Sequence, residues 1–235
     1  MTNSSVVAVA TIVLWGALVV VADESAPKYF AGVIPYSVDE DGDVALLFGE
    51  EPRSDVRHSD ANPRRLRWKA FSGKADKGDQ SEAATAAREF DQETRYVFRN
   101  ANFDVRDHLK KAKKFKHARH NTFLYLVMVK YIPANKFNKA PKDEHTEMER
   151  YTWVKLKTLL AEVDKVKADP AHKGTTNDRQ GRTIPLARFH LSLTNETVPS
   201  GIKGNRQVYP NTYDFLLDPK SRPALERILK PPVPN

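Results

Sequence analysis

Apolar and polar positions sort into short segments, all following an N-terminal block that is apolar throughout. Residues 6–22 run Val-Val-Ala-Val-Ala-Thr-Ile-Val-Leu-Trp-Gly-Ala-Leu-Val-Val-Val-Ala, with Asp23-Glu24 immediately after. Tyr29-Phe-Ala-Gly-Val-Ile-Pro-Tyr-Ser and Val44-Ala-Leu-Leu-Phe-Gly flank the acidic stretch 39–43 and predict short strands near 29–37 and 43–49. Residues 50–66, with Glu-Glu-Pro-Arg and Asn-Pro-Arg-Arg, read as a polar surface loop. Residues 81–94 predict a helix, because alanines at 83, 84, 86 and 87 favour it and Ser81 or Asp79 can cap it. Residues 106–120 have too little apolar periodicity for a core helix. Thr122-Phe-Leu-Tyr-Leu-Val-Met-Val-Lys-Tyr is a β run, 156–166 predicts a helix, and 221–229 predicts a closing helix before Pro231-Pro-Val-Pro. Trp68, Phe71 and Trp153 are candidate core aromatics. No repeat or long linker interrupts residues 28–230, which read as one domain behind a leader at 1–22.

The chemistry concentrates between Gly73 and Arg95, where a glycine-bearing loop runs into a helix with recurring carboxylates. At 100° per residue Glu82 and Glu89 differ by about 20° and Glu89 and Glu93 by about 40°, so the three share one stripe. Hard cations such as Mg²⁺ bind oxygens so arranged.

This loop and helix resemble the Nudix box, Gly-x5-Glu-x7-Arg-Glu-(aliphatic)-x-Glu-Glu-x-Gly-(aliphatic). Arg88, Glu89, Phe90 and Glu93 fall in register with its core, and Gly73-Lys74 and Gly78-Asp79 look like its Gly-Lys and Gly-Glu. Three departures stand out. Gln92 replaces the first Glu of the pair, Arg95 replaces the glycine, and eight residues rather than seven separate Asp79 from Arg88. Counted back without an insertion, Gln80 takes the early Glu position, and Asp79 serves only if the loop is one residue longer. Beyond the box, residues 29–37, the acidic turn 39–43 and residues 44–49 look like the first hairpin of a Nudix domain, Arg67-Trp-Lys-Ala-Phe-Ser-Gly resembles the strand that delivers the box, and residues 147–160 look like its late Glu, tryptophan strand and following helix. The resemblance covers roughly residues 28–165 and implies an α/β fold, a Nudix-like mixed sheet sandwiched between helices.

It also implies a hydrolase that uses Mg²⁺ or Mn²⁺ to cleave a pyrophosphate bond in a nucleoside-diphosphate-linked or other polyphosphate substrate. The catalytic residues would be Glu89, Glu93, Arg88 and Glu147, with Glu149 a rival for the last. Metal ligands would be Glu89, Glu93, Gln92 and Glu82, and Lys74, Gly73 and Arg67 would meet substrate. Because Gln92 removes a negative charge and Arg95 a helix-ending glycine, the alternative is a lapsed Nudix-fold module that binds nucleotide, polyphosphate or RNA.

Charge and composition refine this picture. The 235 residues carry a formal charge of +8, all of it beyond residue 22, which favours an anionic partner. Lys110, Lys111, Lys113, Lys114, Lys116 and Arg119 form a candidate contact for RNA or another polyanion, or else a solvated charge run. The apolar block reads as a cleaved signal peptide with small residues at its end, hence a secreted protein, or as an uncleaved membrane anchor. Asn195-Glu-Thr197 would then be a glycosylation sequon. The absence of cysteine excludes thiolate zinc sites and cysteine nucleophiles, and His108, His117 and His120 lack the spacing of a histidine metal site.

Overall fold

The computed structural model describes residues 28–51, 67–117, 121–172, 175–177, 183–185, 192–193, 206–208 and 210–229. The leader, residues 52–66, Arg119, His120 and the sequon lie outside these residues. Among the described residues, no helix is long and apolar enough to cross a membrane.

The expected hairpin forms from β1 (Phe30–Val38) and β2 (Val44–Glu51), paired only at its closed end, from Tyr36 opposite Leu46 to Val38 opposite Val44. Asp39 closes the turn by accepting the backbone N–H groups of Asp41 and Asp43 on its carboxylate, and Gly42 supplies a φ of 83°. Beyond that end the two strands part, and one interrupted strand fills the gap. Its first half, β3 (Arg67–Lys69), pairs with β2, and its second, β4 (Phe71–Lys74), pairs with β1. At the break, the Ala70 N–H finds the Thr212 hydroxyl at 2.8 Å.

Alternation along this strand divides its side chains between two cores. Trp68 and Ala70 enter one, while Lys69, Phe71 and Gly73 point to the other face, where the box helix lies.

The helix α1 (Glu82–Glu93) begins where Ser81 accepts the Ala84 N–H at 3.2 Å. It lays Ala86, Ala87 and Phe90 on the sheet beside Phe71. The short helices α2 (Val97–Asn100) and α3 (Val105–Leu109) come after it, and they bury Phe98, Val105 and Leu109. The basic run is therefore built into the fold: after α3 it becomes the edge strand β5 (Lys113–His117), antiparallel to β6 (Thr122–Met128). In turn β6 runs parallel to β1, which makes the sheet mixed. Helix α4 (Ala134–Lys139) precedes β7 (Arg150–Lys155), which pairs with β2 and completes a seven-stranded sheet.

On the opposite face, α5 (Leu156–Ala168) packs Leu159, Leu160 and Val163 against Trp68, Leu46 and Val154. Two short antiparallel ladders come next, β8 (Thr175–Asn177) with β9 (Thr183–Pro185) and β10 (Ser192–Leu193) with β11 (Arg206–Gln207). Finally α6 (Pro210–Leu217) and α7 (Arg222–Ile228) add Phe215, Leu216 and Leu225 to the same core. The layers are helix, mixed sheet, helix, as the resemblance implies.

The end of α1 shows why Arg95 stands where a glycine was expected. Arg95 and Tyr96 have φ of 53° and 55°, so the chain does enter the left-handed region. The Arg95 guanidinium is buried and donates to the carbonyls of Phe137, Ala140 and Met148, each at 2.9 Å, beneath the Tyr151 ring. The side chain thus ties the helix end to α4 and to the segment that carries Glu147. A left-handed arginine costs about 1 kcal/mol relative to glycine, whereas each charge-assisted hydrogen bond contributes about 1.5–3 kcal/mol. Arg95→Gly should therefore destabilise the domain by about 3–8 kcal/mol in denaturant titration. An unchanged or more stable variant would show that backbone relief prevails.

Candidate active site

Gly73 and Lys69 meet the C-terminal half of α1, and the local geometry follows from their positions on one strand. A Cβ on Gly73 would fall 2.2–2.3 Å from the Glu89 carboxylate, so the missing side chain is the seat of Glu89. Arg88 holds the same carboxylate from the other side, Nη1 donating to Glu89 Oε1 at 2.7 Å. The guanidinium also spans Asp79, with Nη2 to Oδ2 at 2.8 Å and Nε to Oδ1 at 3.3 Å, and it donates to the Lys74 carbonyl at 2.9 Å. Asp79 in turn accepts the Asp76 N–H and the Thr85 hydroxyl, both at 2.9 Å. The loop is thus folded back onto the helix, and Asp79, not Gln80, is the acid that pairs with Arg88. The extra residue between Asp79 and Arg88 is absorbed before Ser81.

The second half of the site is a charge cluster around Lys69. Its Nζ lies 2.9 Å from Glu93 Oε1, 2.6 Å from Glu51 Oε2 and 3.8 Å from Glu147 Oε2. Glu89 is within electrostatic reach of both Lys69 and Glu93. Burial works against the Lys69 charge, but Glu93 and Glu51 outweigh it and raise the ammonium above its ordinary range. Burial lifts the Glu93 carboxyl to about 8, reinforced by Glu89 and Glu51 and opposed by Lys69. Glu89 and Glu51 are also raised by burial, against the pull of Arg88 and Lys69 respectively. Asp79 is lowered: burial alone would raise it, but its hydrogen bonds from Arg88, Asp76 and Thr85 prevail.

Of the expected site residues, Glu89, Glu93, Arg88, Gly73 and Glu147 are brought together. Gln92 turns its amide oxygen to Arg88 Nη1 at 3.2 Å. Lys74 joins through its carbonyl while its side chain is exposed. Arg67 starts β3, paired in register with Glu51. Glu82 does not join: it sits in the first turn of α1, about 10 Å along the axis from Glu89, and its charge acts on Tyr125. Glu149 turns away to Lys142 at 2.7 Å.

Sequence reading missed Lys69 and Glu51. Strand alternation from Gly73 back through Phe71 to Lys69 was the available signal for the first, and the hairpin register opposite Arg67 would have given the second.

The donor set suits a divalent ion in its chemistry. Glu93 Oε2 is fully buried without a hydrogen-bond partner, and the four carboxylates of Glu51, Glu89, Glu93 and Glu147 outnumber the two cations that meet them, Lys69 and Arg88. Hard carboxylate oxygens with excess negative charge fit Mg²⁺ or Mn²⁺. In geometry the cluster is organised around an ammonium instead, since no three of these acids bring ligand atoms within 4.8 Å of one another. Asp39, Asp41 and Asp43 do come that close, but their carboxylates serve the turn and Lys155.

The basic run presents its lysines in two directions. Lys111 and Lys113 line a cavity of about 350 Å³ with Lys220 and Arg227 of the C-terminal segment. Lys110 and Lys114 line another of about 500 Å³ with Arg106 and Tyr125.

The chain belongs to the NUDIX family: the model of the NUDIX domain matches residues 31–174, more than half of its length. Membership places it in a superfamily of hydrolases. No curated protein matches the chain. Among solved structures it is similar to a NUDIX hydrolase from Nitrosomonas europaea at 15% identity and TM-score 0.31, covering 57% of this chain and 76% of that one. A mutT/nudix family protein from Listeria innocua aligns at 13% and 0.33, covering 58% and 83%. A NUDIX hydrolase from Alicyclobacillus acidocaldarius aligns at 11% and 0.35, covering 59% and 83%.

The Gly73 seat separates folding from chemistry. A methyl there meets the movable end of Glu89, so Gly73→Ala should keep its melting temperature within about 3 °C of the parent. Turnover should fall about 100-fold as the carboxylate is displaced. A variant with full turnover would show that the position of Glu89 does not matter.

Proposed function

We propose that this domain hydrolyses a pyrophosphate linkage in a nucleoside-diphosphate-linked or other polyphosphate substrate. The observation that carries the proposal is the Glu93 carboxylate, wholly buried with one oxygen unpaired, next to a Glu89 held in place by Gly73 and Arg88. Burying an unpaired acid oxygen costs stability. A cation bound at that oxygen would offset the cost.

In this reading Glu89 and Glu93 hold a divalent ion, with Glu147 at the exposed rim and Gln92 contributing a neutral oxygen. Mg²⁺ or Mn²⁺ bound there would neutralise phosphate charge and acidify a water. The remaining work falls to the chain. Arg88 fixes the Glu89 carboxylate and draws the Asp79 loop onto the helix, which leaves Glu89 one oxygen free of Arg88. The Gly73 backbone allows close approach, and Arg67 and Lys74 at the two ends of the interrupted strand meet substrate phosphates. Glu89, whose carboxyl burial raises, is the group placed to accept a proton from the attacking water.

A second reading is favoured by Lys69 and Gln92: a module in which the ammonium permanently replaces the ion and phosphates are bound without turnover. Four lysines of the basic run, Lys110, Lys111, Lys113 and Lys114, supply a polyanion contact in either reading. If so, Lys111→Gln with Lys113→Gln should weaken RNA binding and flatten its salt dependence. Unchanged binding would remove RNA as a partner at this surface.

Nucleotide sugars, dinucleoside polyphosphates, capped RNA and diphosphoinositol phosphates, each incubated with Mg²⁺ and Mn²⁺, test the primary reading. At least one should turn over, with Glu89→Gln reducing the rate about 100- to 10,000-fold and Glu82→Gln leaving it within about threefold. Turnover of none by a folded domain would leave the second reading, and activity gained by Gln92→Glu would then mark a lapsed enzyme.

A further inference from the structure

Lys69 is an unusual neighbour for four carboxylates. It lies on the strand that seats Glu89, is buried, and contacts Glu51 and Glu93 at ion-pair distance with Glu147 slightly beyond. An isolated buried ammonium is strongly disfavoured, so these acids are what allow it to be there. Conversely, the acids are not gathered closely enough to coordinate an ion while it is there. The direction of release is also visible, because the Glu147 side chain is 63% exposed while those of Glu93 and Glu51 are 3% and 15% exposed. Of the acids it contacts, Glu147 is the solvent-facing one, so the way past Glu147 leads to solvent.

We propose that Lys69 is the resident cation of this cluster. A divalent ion binds by displacing its ammonium from Glu51 and Glu93, and the freed ammonium moves outward past Glu147 to a phosphate of the substrate. The inference rests on the metal-dependent reading above. It makes Lys69 a positioning residue in the ion-free protein and a phosphate ligand in the loaded one. Exchange of this kind keeps the carboxylates compensated in both states, so the fold never holds four facing acids without a cation.

Mn²⁺ binding followed by electron paramagnetic resonance tests the proposal without any need for turnover. Lys69→Met should bind Mn²⁺ about tenfold or more tightly than the parent, because the competing charge is gone. In EDTA the variant should also melt lower than the parent and recover more on adding Mn²⁺. Should Lys69→Met fail to fold, acylation of lysine amines in the parent chain, read by peptide mass spectrometry, gives the same answer. Lys69 should be protected in EDTA and become several-fold more reactive at saturating Mn²⁺, with Lys142 unchanged as the control. Equal or weaker Mn²⁺ binding by Lys69→Met, or a Lys69 still protected under saturating Mn²⁺, would overturn the proposal. Mn²⁺ binding to neither chain would overturn it too. Absence of turnover alongside tightened binding would defeat only the hydrolase reading.

Discussion

Buried carboxylates must be compensated, and this requirement organises the site. Glu93 has no access to water, Glu89 and Glu51 are drawn out of it, and each raises the ionisation cost of Glu93. Such a group stays ionised only with a cation nearby. Arg88 answers Glu89 from the loop side, and Lys69 answers Glu93 and Glu51 from the sheet side. Two cations of different character result. The Arg88 guanidinium is held by several partners in fixed directions, whereas Lys69 is a point charge on a flexible stem, the kind of cation that can be exchanged.

The sheet makes this arrangement possible because β1 and β2 separate and admit β3 and β4 between them. One short strand then sends Trp68 into one core while placing Lys69 and Gly73 under α1 in the other. Arg95 performs the matching task at the helix end. Its bonds to Phe137, Ala140 and Met148 bring the segment with Glu147 up to Glu93 and replace, with an arginine, the turn that a glycine would make unaided. The two halves of the site are therefore positioned by backbone pairing on one side and by a buried guanidinium on the other.

Much of this was legible in the chain itself. The two strands about the acidic turn, the alanine-rich helix with its Ser81 cap, the strand from Thr122 and the closing helix all arise from local pattern and agree with β1, β2, α1, β6 and α7. The shared stripe of Glu82, Glu89 and Glu93 was legible too, but angular position alone hid the two turns of helix that leave Glu82 near Tyr125. Periodicity also missed α3 and β5 in the basic run, since their buried positions, Val105, Leu109 and the half-buried Phe115, are too few to make a stripe. Lys69 and Glu51 escaped for another reason: a charged residue inside an apolar strand reads as surface until tertiary pairing shows which face it occupies. The role of Arg95 depended on contacts more than forty residues away, which no local rule reports.

A crystal structure of the protein grown with Mn²⁺, with the ion located by its anomalous scattering, tests the account at its centre. A single strong peak is expected between the Glu89 and Glu93 carboxylates, with the Lys69 Nζ withdrawn from Glu93 and Glu51 toward solvent. A map with no peak there and Lys69 still seated between those acids would contradict it.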